Sequence, residues 1–206
     1  MLYMRIDQVM LRHLAGEESA GIYAAAVRLS EVVYFVPVLV VTGLLPYWVK
    51  ARARGTEAYG RALQGIFDLQ TALALGFAVP VAFLADWLVG WVFGPAYAAA
   101  GPVLALHVWA GVFVFQGVAR SQTWVLEDWN RFTLVTTVAG AAANVALNFL
   151  WIPRHGAIGA AAATLVSYAL AAWAMSFMFT QTRRIAWIQT KSLLLPLFAW
   201  RYLVKG

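Results

Sequence analysis

Polar and charged residues in this chain fall into short clusters that separate long apolar runs. Gly21 to Val49 is apolar apart from Arg28 and Glu31, and Ile66 to Val92 carries Asp68 and Asp86 only near its ends. Ala98 to Leu126 contains His107, Gln116 and Arg120, and Phe132 to Ile152 and Ala157 to Phe179 carry no charge. Each run reaches or exceeds the roughly 20 residues that a helix needs to cross a bilayer. The pattern predicts an all-α, polytopic membrane bundle of about five full transmembrane helices (21-49, 66-92, 98-126, 132-152 and 157-179). Residues 1-14 form a partial N-terminal helix, too short to span and interrupted by Arg5 and Asp7. A continuous helix from Gly21 to Val49 would extend about 43 Å, beyond a hydrocarbon core of about 30 Å. Pro37 and Pro46 therefore predict a kink in it.

The connections have their own signatures. Leu14 to Ala20 is polar, Lys50 to Arg61 basic, Phe93 to Tyr97 a tight turn, and Glu127 to Arg131 short and polar. Pro153, Arg154, His155 and Gly156 break the chain between the last two spans, making them a hairpin. The second arm opens with two small-x-x-x-small pairs, Gly156 with Ala160 and Gly159 with Ala163, a face that another backbone can approach closely. On the first arm, Asn144 and Asn148 are four apart and share a helix face. Residues 181-206 form a basic, amphipathic tail, with Trp187, Trp200 and Tyr202 suited to the headgroup level and Arg201 and Lys205 near its end. A truncated further helix is the alternative for that tail.

Composition points the same way: 63% of residues are hydrophobic and 12% charged, and the mean hydropathy is +0.73. The formal charge of +6 does not indicate nucleic acid, because the basic residues sit at helix ends and short connections. With no cysteine, and with His13, His107 and His155 scattered, no metal-ligand pattern emerges. His107 is expected to hydrogen-bond a neighbouring helix and Trp109 to anchor at an interface. If the spans alternate, one side receives Lys50, Arg52, Arg54, Arg61, Arg131, Arg183, Arg184 and Lys191, whereas the other receives Arg12 and Arg154. The first side is then cytoplasmic, together with the carboxyl terminus.

Asn-x-x-Leu-Asn at 144 to 148, followed by Ile-Pro-x-x-Gly-x-x-Gly-Ala-Ala-x-Ala-Thr at 152 to 164, resembles the fifth and sixth helices of the second lobe of Wzx-type polysaccharide (O-antigen) flippases. These belong to the superfamily that also holds lipid II flippases and multidrug exporters. Tyr3 to Leu11 with Gly21 to Glu31, and Phe93 to Tyr97, match further stretches in the same order. The resemblance implies the second lobe of a two-lobe, alternating-access transporter of the bacterial inner membrane. Its cargo would be an oligosaccharide on a polyprenyl diphosphate, and its partners membrane lipids and a missing first lobe or a second copy. No enzyme is expected, because a polysaccharide polymerase or ligase would need a substantial loop outside the membrane. The sibling activities are lipid II or multidrug export, and a non-transporting remnant is a further reading.

Two residue sets follow from the resemblance. Arg5, Arg28, Glu31 and Arg120 are candidates for a cargo cavity, where guanidinium groups would hold phosphates. Each has a plain structural reading: Arg28 and Glu31 neutralise one another at i, i+3, Arg5 pairs with Asp7 or snorkels, and Arg120 anchors a helix end. Asp7, Asn144, Asn148, the carbonyl of Ala160 and Thr164 match the sodium-site positions of the lipid II branch, with Asn148 where that branch has Asp. They imply Na+ or H+ as the coupling ion and no other cofactor. Interhelical hydrogen bonding is the competing reading of the two asparagines.

Overall fold

The computed structural model describes residues 6–194, and among them the regular structure is entirely helical. The helices are α1 (Ile6–Glu31), α2 (Val36–Ala53), α3 (Thr56–Phe83), α4 (Ala85–Phe93), α5 (Ala100–His107), α6 (Ala110–Leu126), α7 (Asn130–Ala172) and α8 (Arg183–Leu193). Short 3-10 turns occupy Pro95–Tyr97 and Ala174–Phe177. Four helical segments are long and apolar enough to cross a membrane: Ile6–Ala53, Thr56–Phe83, Ala100–Leu126 and Asn130–Phe177. That architecture is consistent with a multi-pass membrane protein. Arg5 and the tail positions Trp200, Arg201, Tyr202 and Lys205 lie outside the described residues.

Two of the long segments fold back on themselves. In α7, Gly156 has φ 53° and ψ −131°, a conformation closed to most L-residues. Beyond it Ser167 lies 3.2 Å from Asn144 Nδ2, although 23 residues of straight helix would separate them by about 34 Å. The chain therefore reverses at Gly156, and Pro153, expected to share in the break, remains helical three residues earlier. In α1 the reversal is at Gly16, with φ 87° and ψ 172°. Tyr23 Oη comes within 3.0 Å of Asp7 Oδ2, and Arg12 bridges to Glu17 across the turn. The polar connection expected from Leu14 to Ala20 thus contracts to one glycine.

The kink expected around Pro37 is a full break: residues 32–35 form a turn, and Pro37 sits in the first turn of α2, where its missing N–H costs nothing. Gln70 Nε2 donates to the Pro37 carbonyl at 3.1 Å and ties the break to α3. Pro46 stays inside α2 without ending it. Two spans expected to be continuous are divided: 66-92 at Leu84, four residues after Pro80, and 98-126 at the turn of Val108 and Trp109.

The turns sort to two ends. A Cβ built on Gly156 would lie 3.7 Å from Ser19, and Leu11, Val89, Ile152 and Ala157 share one apolar cluster, so the Gly16, Gly94 and Gly156 turns are neighbours. At the opposite end Arg52 donates to the Leu126 carbonyl at 2.6 Å and Arg184 to the Thr56 carbonyl at 3.1 Å. The basic residues from Lys50 to Arg61, with Arg131, Arg183 and Arg184, belong to this second end, and Arg12 and Arg154 to the first. α8 runs beside α3, with Arg184 at Thr56 and Gln64 Nε2 donating to Ser192 Oγ at 2.9 Å. Its described part packs along the bundle, with Ile185, Ile188 and Ser192 buried and Trp187 exposed.

Candidate functional site

Three segments far apart in sequence meet at Asp7: the first turn of α1, and the two arms of α7. The meeting follows from the two glycine reversals, which lay the α1 hairpin against the α7 hairpin. Asp7 is 7% exposed. Asn148 Nδ2 donates to Asp7 Oδ1 at 2.7 Å and to Asn144 Oδ1 at 3.0 Å. Thr164 Oγ1 stands 2.8 Å from Asp7 Oδ2 and 3.0 Å from the Ala160 carbonyl, the i, i+4 arrangement of one helix face. Asn144 Nδ2 reaches Ser167 Oγ, whose hydroxyl is bonded to the Ala163 carbonyl. Asp7, Asn144, Asn148, Ala160 and Thr164, the residues grouped by the resemblance, are thus in one buried network.

Two members were not foreseen. Tyr23 Oη is 3.0 Å from Asp7 Oδ2 and 3.1 Å from Thr164 Oγ1. It stands in the Gly21-Ile-Tyr stretch that carries the resemblance, and its burial at 2% exposure demanded a partner for its hydroxyl. Ser167 continues the face of Ala160 and Thr164 at i+7, a spacing that could have flagged it.

Every hydrogen bond given to Asp7 among the described residues comes from a neutral donor. A carboxylate buried without a cation is costly in a low-dielectric interior, so the cluster calls for a counter-charge or a proton. Asn148 Oδ1 points the same way: it is buried and makes no hydrogen bond. The available donor set is all oxygen, which suits a hard cation, and one carboxylate matches a single positive charge. No group of three or more His, Cys, Asp or Glu side chains comes together among the described residues. The residues present therefore fit Na+ or a proton.

The cavity candidates among the described residues, Arg28, Glu31 and Arg120, do not gather in one place. Arg28 is exposed on α1, and Glu31 is half-buried one turn later. Arg120 is 4% exposed. It donates to the Ala171 carbonyl and to Thr136 Oγ1, and its guanidinium stacks 4.2 Å over the Trp124 ring. The two hydrogen bonds join α6 to α7, and the Trp124 contact lies within α6. Arg120 also lines an open cleft of about 410 Å3 with Gln122, Thr137 and Tyr168, to which neither Arg28 nor Glu31 contributes. His107 is buried and its Nδ1 lies 2.7 Å from Ser30 Oγ on α1. It is an interhelical bond of the expected kind, between α5 and α1.

Comparison of the chain with protein-family models, with curated proteins and with solved structures found no match in any of the three.

Proposed function

We propose that this chain is the second lobe of a lipid-linked oligosaccharide flippase of the bacterial inner membrane, coupled to Na+ or H+ at the Asp7 cluster. The observation that carries the reading is the buried Asp7 network: a lone carboxylate, an unsatisfied amide oxygen and a backbone carbonyl on the facing arms of two hairpins. Intramembrane carboxylates are costly and mark ion or proton pathways. Asp7, Asn144, Asn148, the Ala160 carbonyl and Thr164 would hold the ion, and Tyr23 would orient the carboxylate. In this reading the α7 arms, α3 with α4, α5 with α6, and the region from Glu17 to Ala53 supply about five crossings, with the stretch before Gly16 as a partial sixth. Alternating access then needs a facing lobe or a second copy to close the cargo cavity. Lipid II or multidrug export is the alternative activity within the same superfamily.

The test is complementation of a strain lacking its own polysaccharide flippase. Residues 1 to 206 alone are expected not to restore export, and co-expression with a first lobe is expected to restore it. Full export from the chain alone would mean that it acts complete, as a homodimer. Failure with every first lobe supplied, despite normal insertion, would remove the flippase reading.

Orientation supplies a second expected result. The charge asymmetry between the two ends predicts that Ala96 faces outward and Arg54 inward. Because the chain has no cysteine, single Ala96→Cys and Arg54→Cys variants report cleanly. A membrane-impermeant thiol reagent applied to intact cells should label the first and spare the second, and the reverse pattern would invert the topology.

Asn148→Asp gives a third. It adds a second carboxylate to the cluster, so transport by the two-lobe protein should become more strongly dependent on sodium. An unchanged sodium dependence would argue that position 148 does not face the ion.

A further inference from the structure

The open cleft of about 410 Å3 beside Arg120 runs between α6 and the two arms of α7. Its wall is graded in polarity. Phe113, Val114, Gly117 and Val118 line one stretch, whereas Arg120, Gln122 and Thr137 line the stretch nearer the basic end. From Phe113 to Gln122 the wall covers about 14 Å of helix. The rim is apolar: Val125 is 53% exposed, and Val138, next to Thr137, is 59% exposed. In a bilayer such a rim opens toward lipid tails, not toward a water-filled cavity.

Arg120 is the one charged residue in that wall, and among the described residues no carboxylate pairs with it. A guanidinium carries five N–H groups. Here one nitrogen reaches the Ala171 carbonyl, another donates to Thr136 Oγ1 at 3.3 Å, and Nε is buried with no partner. Hydrogen bonds to neutral oxygens do not cancel a charge in a low-dielectric setting, and an intramembrane arginine calls for an anion beside it. The described residues supply none.

We propose that the cleft holds an anionic phospholipid from the leaflet at the basic end, its phosphate on Arg120 and Gln122 and one acyl chain along Phe113, Val114 and Val118. The grading of the wall sets that direction. Arg120 stands about 9 Å inside the end of α6 at Leu126, so its long side chain serves the headgroup level while the apolar stretch continues toward the bilayer centre. Because the cleft is open along one side, the rest of the lipid stays in the bilayer. A zwitterionic lipid brings its own cation and leaves the guanidinium charge uncancelled, so the site selects for net negative charge. The proposal is independent of the flippase reading, since it needs a bilayer and no cargo.

The test places the full 206-residue chain in nanodiscs of equal phosphatidylglycerol and phosphatidylcholine, releases it into neutral detergent and counts retained lipid by native mass spectrometry. The wild-type chain is expected to retain phosphatidylglycerol about ten-fold over phosphatidylcholine. Arg120→Gln removes the charge and should abolish that preference. Because Arg120 also joins α6 to α7, a second variant leaves it in place: Val114→Trp, at a half-buried position, fills the chain-binding stretch and should lower phosphatidylglycerol retention about ten-fold. Arg154→Gln, at the opposite end, should change nothing. Equal retention of the two lipids by the wild-type chain overturns the proposal, as does a preference that survives either cleft variant undiminished. Displacement of phosphatidylglycerol by an equal amount of a polyprenyl phosphate would make the cleft a cargo groove and overturn it as well.

Discussion

Asp7→Asn, made in the two-lobe protein, is expected to reduce ion-coupled transport to background while membrane insertion stays intact. The substitution keeps the side-chain volume and removes the one negative charge of the cluster. The neighbours tolerate this: Asn148, Thr164 and Tyr23 are neutral and retain hydrogen-bonding partners among themselves and at the Ala160 carbonyl. The loss is therefore electrostatic. An oxygen cage without a carboxylate binds a bare cation far more weakly, and an amide cannot carry a proton across a cycle. Transport should be measured in vesicles over a range of sodium concentrations and pH. If the variant transports as the wild type does throughout that range, the cluster is interhelical glue, for which about 1 kcal/mol per hydrogen bond is an ordinary value.

Gly159→Ala should have the largest effect on folding. Gly159 follows the reversal at Gly156, which presses it against the first arm of α7. A Cβ there would stand 2.5 Å from the Trp151 carbonyl oxygen and 2.7 Å from its carbon. These are backbone atoms that no rotamer change can move aside, so the arms must separate. Separation pulls Thr164 and Ser167 away from Asp7 and Asn144, and the site is lost with the hairpin. Overpacking of this kind costs about 1–3 kcal/mol or more. The midpoint of thermal unfolding in detergent should fall by about 2–12 °C, by the usual scaling for a chain of this length. Gly65→Ala is the control. A Cβ on Gly65, inside α3, meets nothing within 4 Å, so that variant should be neutral or slightly stabilised. Equal Tm values for Gly159→Ala and wild type would contradict the close approach of the arms.

Much of this architecture was legible in the chain because bilayer-scale apolar runs and glycine placement are local signals. The small residues at 156, 159, 160 and 163 announced a close backbone contact; at Gly159 that contact is the helix's own other arm at Trp151, and at Gly156 the neighbour is Ser19 of α1. Asp7, Asn144, Asn148, Ala160 and Thr164 could be grouped from the resemblance, but the physical reason they meet, two facing hairpins, required the fold. Pro37 marked the break at residues 32–35 as a kink, whereas those at Leu84 and at Val108 left little mark, since apolar residues flank each one and hydropathy is blind to direction. Tyr23 was hidden because a tyrosine in an apolar run looks like packing until its hydroxyl finds a carboxylate. The role of Arg120 was equally illegible: the same residue could anchor or face a cavity, and only the Ala171 carbonyl and Trp124 ring decide that it braces α6.

The central claim, that Asp7 is the group that takes up a monovalent cation or proton, is tested most directly by difference infrared spectroscopy of the purified chain. Perfusion with and without Na+, at stepped pH, reports protonation and ion contact of a carboxyl group through its stretching bands. Every described member of the cluster lies in this chain, so no second lobe is needed for the signal. The account predicts a carboxyl band that responds to Na+ or to pH, is absent from Asp7→Asn and is altered in Asn148→Asp. A spectrum indifferent to both, or a responsive band that persists in Asp7→Asn, would contradict it.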